Sequence, residues 1–317
     1  MTRKKLGIAV QTVLWFGLLW FVWQSVEKLP GRAEIAAFAG AGALEALAAF
    51  AVLFTLALVL RALRFGYLIR RVAPIGWREI LVAFPWLFMI GAVTPFRLGD
   101  LVRAEWVRAR GGDGPHTIGL WLAERATDML CLVTLGLVGM ALTPAAESYR
   151  PVLLTLTAGV LGAYVLLSLS PLFERHIPVD SLRRVLAGLS YLHHPREHLR
   201  ILLASFVIWA VMTAAFWVGL WLALDQPVPL AMALLCVTFV NLAALISAAP
   251  GNIGSFQAAA ILSLGFFGIP AETALLVSSA LHAGGLGVTL CAGLFSRFFQ
   301  FFGFGHGGPD RRLQRYR

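Results

Sequence analysis

The sequence predicts an all-α polytopic membrane protein, with about six full transmembrane helices and two re-entrant helical hairpins in an inverted-repeat arrangement. Three observations predict it. The chain is 59% hydrophobic and 13% charged with a mean hydropathy of +0.80, against about 25% charged in soluble domains. Several apolar runs reach the roughly 20 residues that cross a bilayer. Two of those runs break at the same spelling, Pro-x-x-x-Gly, once from Pro95 to Gly99 and once from Pro250 to Gly254. Proline removes a backbone donor and glycine loosens the chain, so neither run continues as a simple helix. Lipid cannot satisfy the freed backbone groups, so such breaks belong inside protein or beside a water-filled cavity.

Taken in order, the first span is Leu6–Val26, behind Arg3, Lys4 and Lys5. It is too long and Trp-rich for the apolar region of a signal peptide. Span two is Ala43–Leu60, followed by Arg61, Arg64, Arg70, Arg71 and Arg78. The run Ile80–Pro95 is short of a full crossing and is followed by Arg97, Arg103, Arg108 and Arg110. Ile118–Leu142 and Val152–Leu169 come next, then a polar stretch rich in Arg and His, Glu174–Arg200. Ile201–Leu224 spans again, Pro229–Ala249 and Phe256–Phe267 flank the second break, and Thr273–Leu294 is the last span. Residues 1–300 form a single membrane domain, and 301–317 a basic cytoplasmic tail.

Charge sets the topology. The net charge is +10, from 23 Arg and 3 Lys against 16 acidic residues. The cations sit at helix ends and in short loops, which fits cytoplasmic loops and argues against a nucleic-acid surface. Both termini are then cytoplasmic in an inner membrane. The Ile80–Pro95 run has basic clusters on both sides, so both its ends belong in the cytoplasm, as in a re-entrant hairpin. The Pro229–Phe267 unit enters from the opposite face with an uncharged tip. Eight full spans with two proline kinks is the alternative.

Chemistry concentrates at the two breaks. Arg97, Asp100 and Arg103 are three apart and share a helix face. Glu124 and Asp128 are four apart, with Arg125 between them. Intramembrane charges pair or line a cavity, so Arg97 or Arg103 is expected to pair with Glu124 or Asp128, leaving the remaining cations with Arg64 to face a cavity. Guanidinium groups in such a cavity suit a phosphate. Arg61 and the outlying arginines read as interfacial charges that fix topology. At the second break, Gly251 and Gly254 allow close backbone approach, and Ser255 is placed to cap a helix start whose N–H groups favour an anion. Asn241, Asn252 and Gln257 add neutral polar groups there, and His282 lies mid-span. A capped structural kink is the plainer reading of the same residues. His194 and His198 read as part of a solvated amphipathic helix, and Cys131, Cys236 and Cys291 as small apolar side chains; no metal or cofactor is expected. No nucleotide-binding loop, nucleophile elbow or dinucleotide fingerprint is present.

Four strings together, Arg61-Ala-Leu-Arg64-Phe65, Thr94-Pro-Phe-Arg-Leu-Gly-Asp-Leu-Val-Arg103, Glu124-Arg-Ala-Thr-Asp128 and Pro250-Gly-Asn-Ile-Gly-Ser-Phe-Gln-Ala-Ala259, resemble the lysylphosphatidylglycerol synthase transmembrane (flippase-like) family over about residues 5–300. The resemblance implies an inner-membrane protein that binds or translocates a phospholipid or another phosphate-bearing amphiphile such as a polyprenyl lipid. In the best-known relatives this region precedes a soluble aminoacyl-transferase domain. The residues up to Arg317 hold no such domain, so aminoacyl transfer is not expected. Gln257 stands where many relatives have an acidic residue, and Asp100 where Glu is common. Lipid translocation without enzymatic chemistry is the expected function. The alternatives are an enzyme of lipid or polyprenyl-phosphate metabolism, with Asp100, Glu124 or Asp128 as base or metal ligand, and a non-catalytic partner of a lipid-synthesising enzyme. A homo-oligomer stays open.

Overall fold

The computed structural model describes residues 41–94, 99–169, 177–247 and 249–301. The expected span Leu6–Val26, the centre of the first break with Pro95 and Arg97, and the basic tail beyond Phe301 lie outside the described residues. Among the described residues every regular element is helical. The α-helices are α1 (Ala41–Ile69), α2 (Trp77–Val93), α3 (Leu101–Arg108), α4 (Gly114–Ala141), α5 (Arg150–Leu169), α6 (Asp180–Gly188), α7 (Pro195–Leu224), α8 (Leu230–Ile246), α9 (Ser255–Gly265) and α10 (Ala271–Phe301).

Among the described residues, four segments are long and apolar enough to cross a membrane: Leu44–Ile69, Glu147–Leu169, Pro195–Leu224 and Ala271–Phe301. Their outward faces carry the apolar side chains that lipid requires, among them Leu44, Val52, Leu166, Leu203 and Phe298. Helix α4 has 28 residues, length enough to cross, but it carries Glu124, Arg125 and Asp128. It starts where Asp113 accepts the His116 N–H at 3.0 Å, with Pro115 in its first turn, both favourable at a helix start.

One expectation changes at α1. The helix does not end near Leu60 but runs to Ile69, stopping just before Pro74. Arginine is a good helix former, so Arg61 and Arg64 lie within the helix rather than in a loop after it.

The stretch expected to turn within itself at Ile80–Pro95 is instead one unbroken helix, α2, with Pro85 inside it. The helix ends at the break. Thr94 takes φ −89° and ψ 143°, the extended geometry favoured before a proline. Its hydroxyl donates to the Ile90 carbonyl at 2.9 Å and accepts the Gly99 N–H at 2.7 Å. Gly99 lies so close to α2 that a Cβ there would sit 2.4 Å from the Ile90 carbonyl oxygen. Gly99 therefore lies against the last turn of α2 just before α3 begins.

At the second break, Ala249 is extended before Pro250 in the same way, with φ −74° and ψ 133°. The turn then uses positive φ at Gly251 (64°), Asn252 (59°) and Gly254 (88°). Glycine adopts this region freely and asparagine tolerates it, which is why the break is spelled Pro-Gly-Asn-Ile-Gly.

Packing repeats itself along the chain. Helix α2 packs on α10 as α8 packs on α4; α1 packs on α2 as α7 packs on α8; α3 packs on α4 as α9 packs on α10. Helices α1 and α7 pack against each other most extensively. The units α1–α4 and α7–α10 thus have matching internal partners, each a long helix, a broken pair and a further helix. Two apolar cores fill the body. One, around Phe50, Trp209, Phe216, Val237 and Leu281, joins α1, α7, α8 and α10. The other, around Phe65, Ile69, Phe84 and Leu120, joins α1, α2 and α4.

Candidate functional site

At the centre of the α1–α4–α7 contact, Arg64 is fully enclosed. Its Nη1 donates to Asp128 Oδ1 at 2.6 Å and its Nη2 to Asp128 Oδ2 at 2.9 Å. Nη2 also donates to Glu124 Oε1 at 2.6 Å, and Nη1 to the Ser205 hydroxyl at 2.5 Å. The Trp209 indole donates to Asp128 Oδ1 at 3.0 Å. Spacing explains the pairing: Glu124 and Asp128 are one helical turn apart on α4, so both reach one guanidinium from α1. Such a cluster persists because its charges are matched and hydrogen-bonded; either sign alone would be costly to bury.

This corrects the Arg103 half of the expected pairing; Arg97 lies outside the described residues. Arg103 does not meet Glu124 or Asp128 in an ion pair; it meets Asp100, with Nη2 to Oδ1 at 3.2 Å, beside the rings of Phe65 and Phe84. Arg64, expected to face a cavity, is instead the cation that neutralises the carboxylates. Asp100 is itself pressed against α2, where a Cβ on Gly91 would lie 2.2 Å from its Oδ1.

The cations that do face a cavity are Arg61 and Arg125. They border a cavity of about 140 Å³ between α1, α2, α4, α7, α8 and α10, many times the about 10–15 Å³ one water needs. Arg61 reaches towards Asp128 at 3.9 Å and lies over the Trp209 ring at 4.7 Å. Arg125 reaches the same Asp128 oxygen at 4.0 Å. Arg61 is the residue that sequence reading missed. Its position straight after an apolar run looks like a topology charge, and only its spacing of three from Arg64, one face of a continued helix, pointed inward.

The second break lines the same cavity. Gly251 and Asn252 line the cavity with Asn241 and His282, and Ala92 from the last turn of α2 joins them. The two breaks thus approach one space. Phe50, Phe54, Phe216, Phe256 and Leu286 make the rest of the lining apolar. His282 stacks on Phe256, with ring centres 4.0 Å apart and planes within 5°, and its Nδ1 lies 3.2 Å from Gln257 Nε2. Gln257 Oε1 accepts the Gly254 N–H at 2.8 Å. Asn241 donates to Val237 O on its own helix at 2.8 Å, leaving its amide oxygen for the cavity.

Ser255 is not the expected cap. Gly254 holds the cap position of α9, and the Ser255 hydroxyl donates to Asn252 O at 2.9 Å, bracing the turn. Among the polar stretch before α7, His194 precedes the helix and His198 bonds the Tyr164 hydroxyl at 2.8 Å, so the two histidines serve different contacts.

The family described as "Lysylphosphatidylglycerol synthase TM region" matches the chain over residues 6–293. No curated protein and no solved structure matches it.

Proposed function

From the premise that the chain belongs to the lysylphosphatidylglycerol synthase TM-region family, we propose that it binds the phosphate-bearing headgroup of a membrane lipid and moves it across the bilayer. The multi-pass membrane character and the relation to lipid metabolism or transport follow from the family and the apolar helices; the translocation step is the inference. One observation carries it: a single cavity is bordered by two arginines at one end, Arg61 and Arg125, and by the glycine-rich second break at the other. Guanidinium groups recognise phosphate oxygens, and the apolar lining accepts the glycerol and upper acyl carbons.

Transport is favoured over bond-making chemistry by the carboxylates. Glu124 and Asp128 both bond the Arg64 guanidinium and neither lines the cavity, so neither is set against a substrate held there. The broken pairs α2–α3 and α8–α9 serve as re-entrant hairpins in this reading. Helices α3 and α9 have 8 and 11 residues, about 12 and 16 Å at 1.5 Å per residue, well short of a hydrocarbon core of about 30 Å. The matched packing of α1–α4 and α7–α10 supports two repeats, of the inverted kind when each unit crosses an odd number of times. The loop charges favour cytoplasmic termini in an inner membrane.

The test uses proteoliposomes carrying a fluorescent, tail-labelled phosphatidylglycerol. Dithionite bleaches the outer leaflet, and complete bleaching reports exchange between leaflets. The wild-type chain equilibrates the label, and Arg125→Ala slows it about tenfold, the loss of one charge-assisted contact. Exchange no faster than in empty liposomes, for phosphatidylglycerol and every other anionic lipid tried, overturns the reading.

A further inference from the structure

Behind the buried ion pairs lies a second, smaller space that the lipid cavity does not use. It is a chamber of about 10 Å³ bounded by Asp100, Arg103, Thr117, Trp121 and Glu124. The rest of its lining is apolar, with Phe65, Leu68, Ile69 and Leu120. Arg103 is 2% exposed, and its Nε has no hydrogen-bond acceptor; the Trp121 indole N–H has none either. Buried donors of this kind are normally satisfied by protein or by an ordered water. The chamber has room for about one water, which needs two to four polar partners, and Arg103, Trp121, Glu124 and Asp100 supply them.

Glu124 stands between this chamber and the lipid cavity. On its far side are Arg64 and Asp128, and beyond them Arg61 and Arg125 at the cavity edge. Of the two carboxylates on Arg64, Asp128 holds the guanidinium by two hydrogen bonds and Glu124 by one. Protonating Glu124 therefore removes one ion pair and leaves the two-point Arg64–Asp128 pair standing. Charge count gives the reason to do so. An anionic headgroup that engages Arg61 and Arg125 draws them from Asp128. Arg64 is then the one cation left against Glu124 and Asp128, one negative charge in excess, and a proton on Glu124 neutralises it.

We propose, resting on the lipid-translocation reading above, that Glu124 takes up a proton from water in the Arg103–Trp121 chamber when an anionic headgroup binds, so that lipid and proton cross in the same direction. The proton comes from bulk water on one side, resides on the Glu124 carboxyl, and returns to bulk water on the other. With a monoanionic lipid the cycle moves no net charge. Glu124 is met by Arg64 on α1, by Asp100 and Arg103 at the start of α3 and by Tyr191 from the turn before α7; around the Arg64–Asp128 pair beside it stand Arg61 on α1, Arg125 on α4, and Ser205 and Trp209 on α7. Tyr191 is buried beside Thr127.

The experiment reads the final distribution of lipid, not its rate. Full-length protein is placed in vesicles with tail-labelled phosphatidylglycerol and a pH difference of one unit, with the membrane potential clamped at zero by potassium and valinomycin. One unit is a tenfold ratio of proton activity, so one-to-one coupling drives the label towards about a tenfold excess in the alkaline leaflet. Cotransport in one direction gives the same end point whichever way the protein is inserted. Glu124→Gln should leave the label evenly divided between leaflets at any exchange rate. Even division by the wild-type chain, with exchange plainly above empty vesicles, overturns the coupling and leaves the translocation reading in place. A tenfold excess that survives in Glu124→Gln overturns the role of Glu124. No exchange at all by the wild type removes both. Because the wild-type result decides by itself, a misfolded variant cannot rescue the idea; Arg103→Lys, which keeps the charge and alters the chamber, supplies a second variant that should lower the excess.

Discussion

Arg64 on α1 and Asp128 on α4 form a two-point ion pair, Nη1 to Oδ1 at 2.6 Å and Nη2 to Oδ2 at 2.9 Å, with neither side chain reachable by solvent. Removing one partner strands the other charge in the interior, which costs about 3–5 kcal/mol. Asp128→Ala should therefore lower thermal stability in detergent by that amount, and Arg64→Ala by a similar one. The double variant Arg64→Met, Asp128→Leu should recover more than half of the loss, because no uncompensated charge is left. A double-mutant cycle on unfolding temperature measures this, and independent, additive losses would contradict the pairing.

Arg125 is a different kind of arginine. Its side chain retains 16% exposure at the cavity and sits 4.0 Å from the nearest Asp128 oxygen, so little stability depends on it. Arg125→Ala should shift the unfolding free energy by less than about 1 kcal/mol while weakening binding of anionic lipid about tenfold, and neutral lipid not at all. Native mass spectrometry of lipid adducts, alongside thermal unfolding, separates the two effects.

The contrast between these arginines marks how far sequence carried. Helix class, the two breaks and the charge-bearing strings were legible because proline, glycine and intramembrane charge are local signals. Which arginine meets which carboxylate was not. Arg61, Arg64 and Arg103 are equivalent in type, and the choice depends on α1 continuing past Leu60 and on Asp100 lying close enough to take Arg103, neither of which is encoded by spacing alone. The roles at Ser255 and Gln257 were exchanged for a similar reason. Gly254 occupies the cap at φ 88°, so the serine hydroxyl points back to Asn252 and the glutamine supplies the acceptor for the Gly254 N–H.

Thr94 closes the first break with one hydroxyl, donating to Ile90 O and accepting from Gly99 N. Thr94→Val keeps the shape and removes both bonds, leaving the half-buried Gly99 N–H without its acceptor, so it should cost about 1–2 kcal/mol. Thr94→Ser should restore most of that. If Val and Ser behave alike in thermal unfolding, the hydroxyl does not hold the turn.

At the second break, backbone conformation and side-chain chemistry can be tested apart. A Cβ on Gly254 would meet nothing within 4 Å, so Gly254→Ala adds no clash and its cost is that of positive φ alone, about 1–2 kcal/mol. Gln257→Glu leaves the backbone as it is. The carboxylate can still accept the Gly254 N–H that Gln257 accepts at 2.8 Å, so thermal stability should stay within about 1 kcal/mol of wild type. What changes is charge: an anion now stands beside His282, on the wall that Gly251 and Asn252 share. Opposition between that carboxylate and an anionic headgroup should weaken phosphatidylglycerol binding by about tenfold, and added salt should narrow the difference by screening it. Binding of phosphatidylglycerol that is unchanged or tighter in Gln257→Glu would mean that the headgroup does not approach the second break, and would move the phosphate site to the Arg61–Arg125 end of the cavity alone.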